Sequence, residues 1–194
     1  MSTMIQVTEP TMVLNEEVCK SNIARMAAKA KAANVVFRPH FKTHQSREIG
    51  EWFRASGVDK ITVSSLNMAM KFAEWGWNDI TVAFPVNCLE HEKINALAAK
   101  IRLNLLLVHS EGARQLSECL KYPVGVYLGV DTGYHRDGGD AGNYEKIERI
   151  MNIVAPDVNI KFEGFLTHAG HTYNARSKEE ILQIIFYFCR LLEI

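Results

Sequence analysis

The chain has 194 residues, 47% hydrophobic, 23% charged and 9% aromatic, the profile of a soluble globular protein rather than a disordered or fibrous one. Its 22 lysines and arginines balance 22 aspartates and glutamates, which argues against a nucleic-acid or anionic-membrane partner held by bulk charge. No apolar run approaches the ~20 residues that span a bilayer, and residues 1–10 carry neither the basic start nor the apolar stretch of a signal peptide.

In chain order, a short strand is predicted over 11–14, running into Asn15 as the N-cap of a helix that opens with Glu16 and Glu17. Val18, Ile23, Met26, Ala27 and Ala30 share roughly one face of that helix. Strands are then predicted over 34–40, 60–64, 79–84, 102–108, 124–130 and 160–167, alternating with helices over 47–55, 66–75, 88–99, 111–120, 144–154 and 178–192. Ser46, Ser110, Asn143 and Ser177 stand where N-caps belong, and Gly57 and Gly76 where helices should stop. Cys19, Cys88, Cys119 and Cys189 form no CxxC pair and read as free thiols of a reducing cytoplasm, each a small buried hydrophobe. Trp52, Trp75 and Trp77 read as packing anchors. Phe186, Tyr187 and Phe188 read as a helix face that needs a partner surface.

This alternation predicts an α/β fold with a parallel sheet. The strands ITV, ITVAF and LNLLLV are nearly continuous apolar runs, as in sheets covered on both faces. A doubly wound sheet and a (β/α) barrel both fit. GxGxxG and GxxxxGK[ST] are absent, which weakens nucleotide binding. About six strand–helix units are present, whereas a closed eight-unit barrel takes ~250 residues. The chain also stops within a helical pattern, at Glu193 and Ile194. The expectation is one domain, the N-terminal part of a longer protein, with exposed apolar surface.

Three strand ends carry polar residues of chemical interest. In VVFRPHFKTH (35–44), strand alternation would place Val36, Arg38, His40, Lys42 and His44 on one face, with Val35, Phe37 and Phe41 on the other. Lys42 would lie near the C-terminal mouth, where barrel sites are built, and neighbouring charge and burial would favour the neutral amine that Schiff-base chemistry needs. His40 and His44 would be about 13 Å apart at ~3.3 Å per residue, too far to share a metal. In GVDTGYHRDGG (129–139), glycines permit close approach to a ligand and Arg136 suits an anionic oxygen. In THAGHTY (167–173), a histidine and a tyrosine could stack on a planar ligand.

Taken together with TEPTMVLNEEVCKSNIARM upstream, these motifs closely resemble the D-threonine aldolase and D-serine dehydratase-like enzymes over essentially the whole chain. The resemblance implies a (β/α)8 TIM-type barrel of the alanine racemase kind, incomplete in this chain. Residues 1–194 would form the N-terminal portion of the barrel domain, with a C-terminal β-domain outside them. It implies pyridoxal 5′-phosphate (PLP) as cofactor. Lys42 would form the Schiff base, Arg136 would contact the phenolic oxygen or the substrate carboxylate, and His168 would lie against the pyridine ring. His40 and Tyr173 would line the cofactor pocket, and His171 and His44 the substrate pocket. A divalent metal would be held through the C-terminal domain, with no metal ligands in this chain. The implied activity is a lyase reaction on D-β-hydroxy amino acids, by retro-aldol cleavage or dehydration, in a cytoplasmic homodimer. The alternatives are an amino-acid racemase and a non-catalytic PLP-binding or truncated protein.

Overall fold

The structure is a computed structural model that describes residues 7–192. Residues 1–6, which carry much of the segment searched for a signal peptide, lie outside the described residues, as do Glu193 and Ile194 and the side chains of Phe188, Leu191 and Leu192. The described chain divides into two compact units. The first holds residues up to Arg38 together with Ser46–Val58, and the second Pro39–Gln45 and everything from Asp59 onward.

The first unit contains helices α1 (Glu16–Ala32) and α2 (Arg47–Ala55). Both begin at the predicted caps: Asn15 accepts from the Val18 amide at 3.0 Å and Ser46 from the Ile49 amide at 3.3 Å, each satisfying a donor the helix cannot. Lys20 lies over the Trp52 ring at 5.1 Å, and Phe37 packs on Phe53 with ring centroids 6.3 Å apart. The strand expected over 11–14 does not form. Those residues are exposed and no neighbouring strand pairs with them among the described residues, so the apolar run has no ladder to join.

The second unit is an incomplete (β/α) barrel, its strands all parallel and in chain order without the reversal of a doubly wound sheet. Its strands are β1 (Ile61–Val63), β2 (Asp79–Pro85), β3 (Arg102–Leu107), β4 (Val124–Asp131), β5 (Gly139–Asp140) and β6 (Ile160–Leu166). All pairings are parallel: β1 with β2, β2 with β3, β3 with β4, and β4 with both β5 and β6. Helices α3 (Leu66–Glu74), α4 (His91–Ala98), α5 (Ser110–Cys119) and α6 (Tyr144–Val154) connect them, and α7 (Lys178–Leu192) comes after the last strand. Parallel neighbours need such crossovers, and they bring every strand's C-terminal end to one edge. Ile61, Val63, Ile80, Leu103, Leu105, Val126 and Leu128 are buried, which makes this the principal core. A polar rung crosses it in register, Thr62 beside Thr81, Thr81 beside Asn104 and Asn104 beside Gly125. The Asn104 amide donates to Asp79 at 3.1 Å and to Thr81 at 3.4 Å.

Several expectations need correction. Residues 34–40 are extended but make only one bridge, His40 to Thr62, because Pro39 has no N–H to give a ladder and contributes only its carbonyl, to the Thr62 amide. Alternation then ends at a 3-10 turn, Phe41–Thr43. Phe41 is buried, whereas Lys42 is exposed rather than desolvated as expected; the two are consecutive positions of a turn rather than two faces of one strand. The α5 cap is His109, whose Nδ1 accepts from the Gly112 amide at 2.8 Å, one residue before the predicted Ser110. Its longer reach fills the same role. The cysteines are not fully buried: Cys19, Cys88 and Cys119 are half-buried and Cys189 is exposed. Burial holds the Cys88 thiol at about 11, with a further rise from the Cys119 thiol beside it.

Trp77 is buried as expected, and α7 exposes Ile185, Phe186 and Tyr187. No helix among the described residues is long and apolar enough to cross a membrane. The aromatic cluster beneath the 3-10 turn is the feature most open to test. Phe41 has no accessible surface, and its ring lies 5.0 Å from Phe72 and 5.1 Å from Trp77. Phe41→Ala leaves a cavity there and should cost about 3–5 kcal/mol, read as a lowered midpoint in urea unfolding.

Candidate active site

The edge formed by the strand C-termini gathers the three predicted motifs. The first arrives on the 3-10 turn. His40 caps it, Nδ1 accepting from the Lys42 amide at 3.3 Å, so one imidazole nitrogen is committed to holding the turn that presents Lys42. His44, at the other end of the turn, packs its ring 4.5 Å from Phe41 and 6.3 Å from Phe72. It supports the turn from the core side.

The second motif lies beyond β4. Asp131 Oδ1 accepts from the Gly133 and His135 amides, each at 2.9 Å, and Oδ2 pairs with His135 Nδ1 at 2.8 Å. Burial by itself would raise the Asp131 carboxyl. The hydrogen bonds from His135 and Gly133 outweigh it and hold the group below its ordinary value. This knot turns the chain into Arg136, whose Nε lies 3.5 Å from Asp137. Gly138 then folds back on β4 at φ +89°, and a Cβ there would lie 2.8 Å from the Gly129 backbone, so no other residue fits. The third motif lies beyond β6, whose end is tied to that of β4 by the Thr132 and Thr167 hydroxyls, 2.8 Å apart. His168 and Tyr173 then lie with ring centroids 6.0 Å apart.

Electrostatics shows that the three motifs converge. Burial lowers His40 to about 4, assisted by the positive charges of Lys42 and Arg136 and by His168. Burial also lowers His168, assisted by Arg136 and Lys42, with Asp137 opposing and His171 adding to the shift. At neutral pH the site therefore holds two uncharged imidazoles, those of His40 and His168, in the company of Lys42 and Arg136. His40, Lys42, Arg136, His168 and His171 are brought together. Arg38 belongs to the first unit. Tyr173 is exposed beside His168. Sequence reasoning passes over Asp131, Tyr134, Asp137 and Gly170. Of these, Asp131 is findable, since an aspartate two residues before a glycine at a strand end is an Asx-turn signal. No group of three or more His, Cys, Asp or Glu among the described residues is arranged to hold a metal ion.

A parallel α/β domain with a lysine, an arginine and neutral histidines on the loops at one edge has known relatives. Residues 14–192 match the family model for the alanine racemase N-terminal domain, and the chain belongs to that family. It is similar to D-threo-3-hydroxyaspartate dehydratase of Delftia sp. (strain HT23), 32% identical over 92% of this chain and 48% of the relative. It is also similar to D-serine dehydratase of Dictyostelium discoideum, 29% identical over 89% of this chain and 47% of the relative. In fold it matches the crystal structure of D-threonine aldolase from Filomicrobium marinum, with a TM-score of 0.86, 22% identity, and coverage of 92% of this chain and 49% of that one. The chain thus spans about half the length of the relatives it matches.

The lowered histidines set a pH dependence. Above pH 6.5 neither the folded nor the unfolded chain protonates His40. Between 6.5 and about 4 the unfolded chain takes up a proton that the folded one refuses, so stability falls as pH falls through this window. His40→Asn keeps a side-chain acceptor for the Lys42 amide and removes the titration. Urea midpoints at pH 7 and pH 5 should differ less in that variant than in the parent chain.

Proposed function

We propose that this domain binds PLP and, within the whole protein, serves a lyase acting on D-β-hydroxy amino acids. The observation that carries the reading is the convergence of Lys42, Arg136 and His168 at one edge of a parallel sheet. The donor set fits the cofactor: an exposed primary amine for an aldehyde, a guanidinium for an anionic oxygen, and an imidazole kept neutral and ring-packed for a planar face. PLP, when bound, supplies an electron sink for negative charge at the substrate α-carbon.

Lys42 Nζ would be the covalent anchor, and the 3-10 turn capped by His40 presents it. Arg136, steered by the Asp131 knot, would orient the phenolic oxygen of the cofactor or the carboxylate of the substrate. His168 would lie against the pyridine ring and, with its pKa lowered by burial, would add no positive charge there. On the β6 side Tyr173 would border the cofactor and His171 the substrate side chain, and His44, expected in the substrate pocket, packs on Phe41 and Phe72 beneath the turn. The similarity to dehydratases of D-serine and D-threo-3-hydroxyaspartate supports a small D-amino acid with a β-hydroxyl as the substrate class. From the family resemblance we assign the divalent metal of such a reaction to residues outside the described ones.

Incubation with PLP, borohydride reduction and peptide mapping by mass spectrometry tests the reading. A single pyridoxyl label on Lys42, absent in Lys42→Ala, is the expected result. Label scattered over surface lysines would overturn the assignment. With D-threonine, D-serine or D-threo-3-hydroxyaspartate, an aldehyde with glycine, or a keto acid with ammonia, is the expected product. An inverted amino acid as the only product would make the protein a racemase.

A further inference from the structure

The two loops of the site meet through rings. Tyr134, on the loop after β4, has its centroid 5.3 Å from His168 at an interplanar angle of 77°, and 6.2 Å from His171 at 25°. Its ring also lies 6.4 Å from Tyr173. The backbone of the second loop is shaped to receive it: a Cβ on buried Gly170 would lie 2.3 Å from Tyr134 Cε1 and 2.4 Å from Cζ, a distance that real side chains do not show. One edge of the tyrosine ring therefore rests on Gly170, and any larger residue there must move it.

His168 needs such a neighbour. The imidazole χ2 torsion is broad and roughly two-fold, so something outside the residue must choose the ring's orientation. Among the described residues no hydrogen bond does so, and the ring contacts are with Tyr134 and Tyr173. Tyr173 is 67% exposed and Tyr134 only 37%, and of the two Tyr134 is the closer and is the one seated on backbone. We propose that Tyr134 is the positioning residue of this site: seated on Gly170, its ring sets the orientation of the His168 imidazole and keeps water from one side of it. The consequence for PLP rests on the function proposed above. The consequence for His168 does not.

The test is an NMR titration of the His168 imidazole without cofactor, in the parent chain, Tyr134→Phe, Tyr134→Ala and Gly170→Ala. Burial is the main reason His168 titrates low. Removing or displacing the ring admits water, and its midpoint should rise towards the ordinary 6.5 in Tyr134→Ala and Gly170→Ala. Tyr134→Phe should keep the parent value. PLP affinity, followed by absorbance, should fall by about tenfold in Tyr134→Ala and stay within about twofold in Tyr134→Phe, as for other residues that orient a ligand-contacting side chain. An unchanged His168 midpoint in Tyr134→Ala overturns the proposal. So does loss of the folded state in both Tyr134→Ala and Gly170→Ala, which would make the tyrosine a structural residue. If the parent chain takes up no PLP, the cofactor reading fails and the titration still decides the role of Tyr134.

Discussion

The site depends on the burial of one ring. Phe41 enters the core immediately after the single bridge from His40 to β1, and the chain changes its local geometry to allow it. A strand continued through this point would carry Lys42 to the face opposite Phe41 at fixed alternation. The 3-10 turn instead places consecutive side chains about 120° apart, so an inward phenylalanine and an outward lysine are neighbours with no cost to either. Burying a phenylalanine fully is worth roughly 1.5–3 kcal/mol, more than one weak cap hydrogen bond at about 0.5–1.5 kcal/mol. Packing by Phe41 therefore sets the turn, and the His40 cap refines it.

That arrangement also settles the charge state of the site. His40 serves as a cap only through an unprotonated Nδ1, and burial together with Lys42 and Arg136 keeps it unprotonated. The structural and electrostatic demands agree. His168 experiences the same two cations from the opposite loop. A pocket lined by charged imidazoles would concentrate positive charge and attract anions indiscriminately. With both neutral, the fixed positive charges are those of Lys42 and Arg136, and the latter is partly offset by Asp137 at 3.5 Å.

Much of this architecture is legible in the sequence. The bounds of α2, α6 and α7 and the positions of β1 to β4 and β6 come from hydrophobic periodicity and caps, whereas β5, two residues paired to the end of β4, carries no such pattern and is not predicted. Thr62 and Asn104 mark the polar rung inside otherwise apolar runs. The 34–40 segment reads as a full strand because Val35, Val36 and Phe37 have strand propensity; the missing N–H of Pro39 is a local signal against it, while the pull of Phe41 acts through tertiary packing. The convergence of Lys42, Arg136 and His168 can be inferred from strand-end placement. The partnership of Tyr134 with Gly170 cannot, because it joins residues on two loops that no local pattern relates.

The loops gain their order from a small number of ties, each of a different kind. Thr132 and Thr167 join by a hydroxyl pair, Asp131 and His135 by a carboxylate that accepts three hydrogen bonds, and Tyr134 and Gly170 by close packing. The sheet brings the ends of β4 and β6 side by side but cannot orient the segments beyond them, since loops leave the ladder that would fix their backbone. A carboxylate knot fixes one loop internally, whereas the hydroxyl pair and the ring contact fix the two loops against each other. Both kinds are needed for Arg136 and His168, which lie on different loops, to face the same small volume. Pre-organised side chains on loops require support of this sort from their neighbours, and here that support comes from residues interleaved with Arg136 and His168 along the same short segments.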